Sequence, residues 1–234
     1  METRPKINSW QIFNKIAPRY DFLNRLLSFG QDRIWRRKIA CYLPPGDTHK
    51  VLDLATGTAD VLLMLNKSGR MGLGVGIDMA WKMLDMGRQK IAKNSAGDRI
   101  ILWPGDAVRI PFKTDCFDVV TMAFGIRNVK EPVPCLKEIH RVLKSGGRTI
   151  ILEFSLPHNF LVRGLYLIYF RHILPHIGAA ISGDNRAYRY LNKTVETFPF
   201  GKAFMKLLSQ TGFQAVEAHP LSFGIATIYC ADKG

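Results

Sequence analysis

Between residues 50 and 154 the apolar positions of the chain change period repeatedly. The runs KVLDLAT (50–56), GVGID (74–78), RIILWPGD (99–106), FDVVTMAFG (117–125) and RTIILEFS (148–155) are short and apolar, and most end in small or polar residues. That is the pattern of strands buried on both faces. Between them ADVLLMLNKSG, AWKMLDMGRQKIAKN and PVPCLKEIHRVLKSGG have helical spacing, with Trp81, Leu84 and Ile91 as an inward set in the second. The third opens on prolines and closes on Gly146–Gly147, a helix start and a helix stop. Strands alternating with helices predict right-handed βαβ units and an α/β, doubly wound, mostly parallel sheet.

Flanking segments complete one domain over 1–234, with the alternating core at 50–154. Residues 8–43 interleave apolar and aromatic residues with arginines, as a helical cover would. Residues 155–200 form an aromatic and basic insertion, expected to be helical and to lie over the substrate side. Residues 201–234 supply a last helix and two strands that pair as an antiparallel edge, with His219–Pro220 at the break between them.

Composition narrows the function classes. Hydrophobic residues make up 47% and charged residues 22%, ordinary for a folded domain. Cys41, Cys116, Cys135 and Cys230 form no C-x-x-C pair, which argues against a zinc ribbon and for a reducing, cytosolic compartment. The start lacks an apolar signal region, and no run approaches the ~20 apolar residues of a membrane span. The anomaly is a net charge of +14, concentrated early: residues 1–50 hold ten Lys/Arg against four Asp/Glu. Such an excess attracts polyanions, either nucleic acid or an anionic membrane surface, or else serves solubility.

The loop after the first strand-like run, ATGTAD, belongs at a ligand, because open parallel sheets bind beyond their carboxyl ends. Gly57 permits a turn there, and Asp78, twenty residues past Thr58, is placed to accept from ribose hydroxyls. No full G-x-G-x-x-G is present, and Asp53 and Asp60 flank the turn with charge that would repel a pyrophosphate. A cationic, phosphate-free nucleotide is favoured instead, and S-adenosylmethionine is such a ligand. Asp106, in GDAVRIPF, falls at the adenine position.

Several motifs together resemble one family, the C-methyltransferases of ubiquinone and menaquinone biosynthesis. They are IAPRYDFLNRLLSFGQDRIWRR, carrying Tyr20, Asp21, Asn24, Ser28, Gly30 and Trp35, then VLDLATGTAD, MLDMGRQK, FGIRNV, RVLKSGGRTIILEFS and YRYL. The resemblance implies the seven-stranded Rossmann-like sheet of a class I S-adenosylmethionine (SAM)-dependent methyltransferase. It also implies methyl transfer to a ring carbon of a polyprenylated hydroquinol, either demethylmenaquinol or a methoxy-polyprenyl-benzoquinol. By the same resemblance Thr58, Asp78, Met79, Asp106 and Ala107 contact the cofactor, with Asp53, Gly57 and Ala123 beside them. Ala123 stands where serine is common, and Ala55 and Ala59 where glycine is common; each of those two adds a methyl group, which should be tolerated.

Ring carbon is a poor nucleophile until a neighbouring hydroxyl, with a pKa near ~10 in water, loses its proton. Arg127 in FGIRN is placed to stabilise the resulting oxyanion, though a structural pair with Asp118 or Glu153 is the competing role. Asn128 would orient the ring, and Tyr20 and Asp21 would cover it. His172 and His176, four apart, read as surface or lid histidines rather than a metal site, since Pro175 interrupts the helix and no Glu or Cys is near. The aromatic stripe at 161–170 fits a prenyl-chain lining, with Arg163 and Arg171 at lipid headgroups and the protein peripheral at the inner face of the membrane. A homodimer is left open. The rival readings are a methyltransferase of RNA or another small molecule, and a non-catalytic SAM-binding scaffold. The first lacks both the N/D-P-P-aromatic run and a suitably placed cysteine, so no nucleic acid is expected.

Overall fold

The computed structural model describes residues 9–46, 48–174, 190, 192 and 194–234. Seven strands form one sheet in the order β3-β2-β1-β4-β5-β7-β6. They are β1 (His49–Leu54), β2 (Met71–Asp78), β3 (Ile100–Pro104), β4 (Phe117–Ala123), β5 (Leu143–Phe154), β6 (Phe213–Leu221) and β7 (Ala226–Lys233). The first five are mutually parallel, and β7 runs antiparallel between β5 and β6.

Helices cover both faces. On one side α2 (Gln31–Ile39), α3 (Asp60–Lys67) and α4 (Trp81–Lys93) bury Trp35, Ile39, Leu62, Leu84 and Ile91. On the other, α5 (Pro132–Val142) and α7 (Lys202–Gln210) bury Leu136, Ile139, Phe204 and Leu208. Between α5 and α7 in the chain lies α6 (Phe160–Ile168), which belongs to the insertion. The N-terminal α1 (Ser9–Leu27) packs on α4 through Ala17, Ala80 and Met83. This is the doubly wound arrangement that the alternating periods predict.

Three local expectations are corrected. Trp81 is 55% exposed, and the inward face of α4 is Met83, Leu84, Gly87 and Ile91. The helix expected to close on Gly146–Gly147 ends at Val142, and Leu143 already pairs with Phe117. Gly147 is needed for another reason: a Cβ there would lie 2.8 Å from the Lys144 carbonyl oxygen. His219 and Pro220 lie inside β6, and the reversal falls at Ser222–Gly224. Proline is tolerated there because β6 is an edge strand with one unpaired side.

Two loops at the carboxyl ends of the central strands position the site. In the turn after β1, Ala55, Gly57 and Ala59 all have positive φ, at 50°, 56° and 64°. The added methyl groups are therefore accommodated in a left-handed backbone, where each L-residue costs roughly 1–2 kcal/mol. The loop after β4 crosses close by: a Cβ on Gly125 would lie 2.7 Å from Ala55 Cβ and 2.8 Å from Met122 Cε. Gly125→Ala should destabilise by about 1–3 kcal/mol through overpacking. Adding Ala55→Gly should recover part of that loss in thermal unfolding; a double variant no better than the single one would mean that the two turns do not touch.

Candidate active site

Two cavities meet beyond the sheet. The larger, about 820 Å³, is lined by Gly57, Asp78, Met79, Asp106, Ala107 and Ala123, with α1 contributing Trp10 and Phe13. The smaller, about 240 Å³, lies between α1, α2 and the insertion and is largely apolar. Tyr20, Phe124, Asn128 and Tyr190 line both.

Asp78, at the end of β2, accepts from Gly57 N at 2.9 Å and from Ala80 N at 2.8 Å. Burial raises its pKa, against the lowering effect of those backbone donors. Asp106 accepts from Val108 N at 3.1 Å. With Lys130 as the one described cation in this lining, two carboxylates face the larger cavity. A cationic ligand fits that donor set and a phosphate does not. S-adenosylmethionine satisfies it.

Of three further residues expected at the ligands, Asp21 lines neither cavity, and Asp53 and Thr58 line only a third, of about 20 Å³, beside Gly57, Tyr20 and Ala123. Asp53 is buried beneath the turn, where Thr121 donates to Oδ1 at 2.6 Å and Thr56 to Oδ2 at 2.7 Å. One hydroxyl from the turn and one from β4 thus hold its carboxylate in place. Burial pushes its pKa up to about 6 in spite of both hydroxyls. Thr58 donates to Asp21 Oδ1 at 2.8 Å and accepts from Lys90 Nζ at 2.8 Å. Lys90 Nζ also reaches Asp21 Oδ2 at 2.5 Å and Asp60 Oδ1 at 2.6 Å. Asp21 and Thr58 therefore bind each other in an ionic cluster that pins α1 to the core. Tyr20, by contrast, faces the ligand space.

Arg127 enters the smaller cavity from the short 3₁₀ turn after β4. Its Nη1 donates to Phe124 O at 2.7 Å and to Glu153 Oε1 at 2.6 Å, so Glu153 is its ion-pair partner. Asp118 instead holds Lys144 and the amide of Lys50. The pairing does not exhaust the guanidinium, because Nε is buried with no partner among the described residues. Asn128 Nδ2 donates to Phe124 O at 3.1 Å.

Lys90, Phe124, Tyr166 and Tyr190 belong to these cavities or their support without having been singled out in sequence. YRYL contains Tyr190, MLDMGRQK ends on Lys90 and FGIRNV opens on Phe124, but no role was assigned to any of them from the sequence. His172 is described; Pro175 and His176 lie outside the described residues. Among those residues no three potential ligand side chains gather for a metal. Cys135 is buried on α5, where desolvation pushes its thiol up to about 12. A thiol in that setting is disfavoured as a thiolate nucleophile.

The sheet order and the ligand space at its carboxyl edge define the fold of SAM-dependent methyltransferases. The chain aligns with a solved Thermotoga maritima SAM-dependent methyltransferase, described as a possible histamine N-methyltransferase, at a TM-score of 0.69 and 19% identity, covering 97% of this chain and 100% of that one. It belongs to the ubiE/COQ5 methyltransferase family, whose model matches residues 2–233. It is 45% identical over 227 residues to the ubiquinone/menaquinone biosynthesis C-methyltransferase UbiE of Geotalea daltonii, covering 95% of each chain. It is also 38% identical over 223 residues to a demethylmenaquinone methyltransferase of Bacteroides fragilis, covering 95% of this chain and 91% of that one.

The raised pKa of Asp53 sets a pH dependence. A folded-state value near 6 against 3.8 unfolded gives stability that is fully present below about pH 4 and is lost as pH rises through 6. Asp53→Asn should remove that loss, so the wild type should fall relative to the variant by roughly 1–3 kcal/mol between pH 4 and 8. Denaturant midpoints across this range check it; a gap that does not change with pH would show that Asp53 does not titrate there.

Proposed function

We propose that the protein is a SAM-dependent C-methyltransferase acting on the ring of a polyprenylated hydroquinol, in menaquinone or ubiquinone biosynthesis. The observation that carries this reading is the junction of an acid-lined cavity with an apolar one, with Arg127 on the apolar side. The names of the relatives point the same way. The larger cavity suits the cofactor: Asp78 would accept from the ribose, Asp106 and Ala107 would flank the adenine, and Met79, Gly57 and Ala123 would line the remainder. Asp53 and Thr58 would support this site through the turn and the α1 contact. When bound, S-adenosylmethionine supplies the methyl group as an electrophile on a positively charged sulfur.

The smaller cavity suits the ring and the start of its prenyl chain. There Arg127 stabilises negative charge on a ring oxygen as its hydroxyl proton passes to solvent. The adjacent ring carbon forms the new C–C bond as the methyl–sulfur bond breaks, then loses its own proton to restore aromaticity. The ring oxygen then takes one proton back, so one proton is released net and balances the lost sulfonium charge. Asn128 orients the ring, Tyr20 covers it, and Asp21 holds the helix that carries Tyr20. The buried, high-pKa Cys135 disfavours a cysteine-dependent pyrimidine methylation.

Contact with an anionic membrane surface is part of this proposal. Phe29 lines the smaller cavity and is exposed, as are Phe160 and Phe223. Arg171, expected at lipid headgroups, is paired with Glu196 at 2.9 and 2.5 Å, which leaves Arg163 and the basic N-terminal segment to meet the lipid. No helix among the described residues is long and apolar enough to cross a membrane. Binding to anionic vesicles should fall with salt, and binding to neutral vesicles should be weak. Equal retention by both would remove electrostatics from the account.

The reaction is tested with labelled S-adenosylmethionine and a panel of quinols, identifying the product by mass. Arg127→Met alone would strand a buried carboxylate, a loss of roughly 3–5 kcal/mol, so Glu153→Gln is added to it. The double variant should keep cofactor affinity, lose ~10²–10³-fold in turnover and move its rise in rate to higher pH. Normal turnover at neutral pH would leave Arg127 a structural partner.

A further inference from the structure

The helix α6 passes into a π-helical turn at Tyr169–Ile173, a geometry that recurs at functional sites. Two tyrosines near this change of pitch line the smaller cavity, and they differ in one respect. Tyr169 donates to Leu27 O at 3.0 Å and ties the insertion to α1. The hydroxyl of Tyr166 is buried and has no partner among the described residues, although its ring is held by stacking on Phe170 at 5.1 Å. Arg127 Nε, on the same cavity, is the second buried donor without a partner. Unpaired buried polar atoms cost stability, and two on one apolar cavity are explained by an oxygen that arrives with the ligand.

We propose that Tyr166 donates a hydrogen bond to a ring oxygen of the bound quinol, forming with Arg127 a two-donor clamp that orients the ring and shares the charge developed there. This rests on the reading of the reaction given above. Burial raises the Tyr166 pKa, so the hydroxyl remains a donor over the range where a ring hydroxyl ionises. The clamp selects an aromatic ring bearing oxygen over a hydrocarbon of the same shape, since only the former satisfies both donors.

The test is Tyr166→Phe, which keeps the ring and its stack. With a short-chain naphthoquinol, kcat/KM should fall ~10–100-fold and its rise should move to higher pH, with cofactor affinity unchanged. The thermal midpoint should stay or increase, because an unpaired buried hydroxyl has been removed. Wild-type kinetics and pH profile in the variant, or a lower midpoint with kinetics intact, would overturn the clamp while leaving the methyl-transfer reading in place. A wild type inert toward every quinol would overturn that reading, and the clamp with it.

Discussion

A fully buried carboxylate at the end of a central strand, Glu153, is the constraint around which the ligand space is arranged. Leaving water is costly for such a group unless its oxygens are bonded and its charge is matched. Arg127 Nη1 and Phe154 N, at 2.6 and 2.8 Å, satisfy Oε1, and Arg127 N donates to Oε2 at 3.3 Å. Burial still raises the Glu153 pKa, and the guanidinium is the main opposing influence. The pair ties the turn after β4 to the end of β5, so Phe124 and Asn128 are held where the two cavities meet. It also carries a cation into an apolar cavity with its buried Nε unpartnered among the described residues, an arrangement suited to charge that forms only during a reaction.

The cavities exist in this form because α1 is seated, and its seat is electrostatic as well as apolar. Lys90 gathers Asp21 from α1 and Asp60 and Thr58 from the core on a single ammonium. Ala17 and Met83 pack alongside. Trp10, Phe13 and Tyr20 then wall the larger cavity. Because Thr58 belongs to the same turn as Gly57, the cover and the cofactor-side turn share one anchor. A displacement of α1 would be felt at the turn, and the reverse also holds.

The parallel core was legible because strands buried on both faces leave continuous apolar runs, and the topology then places Gly57, Asp78 and Asp106 at the carboxyl edge regardless of detail. Side-chain direction within turns was not legible. Left-handed residues at 55, 57 and 59 surround Thr58, whose hydroxyl faces Lys90 and Asp21, and nothing in the letters ATGTAD announces alanines in that conformation. The two hydroxyl donors to Asp53, one of them 68 residues away, were likewise not visible in the sequence. Of the two acids the sequence offered as structural partners for Arg127, Asp118 and Glu153, the structure shows Glu153, and it leaves the Arg127 Nε without a partner among the described residues. Tyr166 was hidden inside an aromatic stripe, where spacing cannot tell which hydroxyl lacks a partner.

Phe124 shows how the two chemical demands are kept apart. A water-soluble cation needs carboxylates around it and a prenylated ring needs an apolar wall, so the boundary must be thin, rigid and without charge on its own side chain. Phe124 has φ 58°, an uncommon conformation for a bulky residue, of the kind that persists only where the surroundings over-determine it. Its carbonyl accepts from Arg127 Nη1 and Asn128 Nδ2, and its ring lies 4.5 Å from that of Phe154 and 5.2 Å beneath the Arg36 guanidinium. Arg36 is itself fixed by Asp32 at 2.7 Å. Backbone strain is thus accepted where it turns a single residue into the partition. Arg127 and Asn128, whose side chains hold its carbonyl, are the groups proposed to act on the ring at its apolar side.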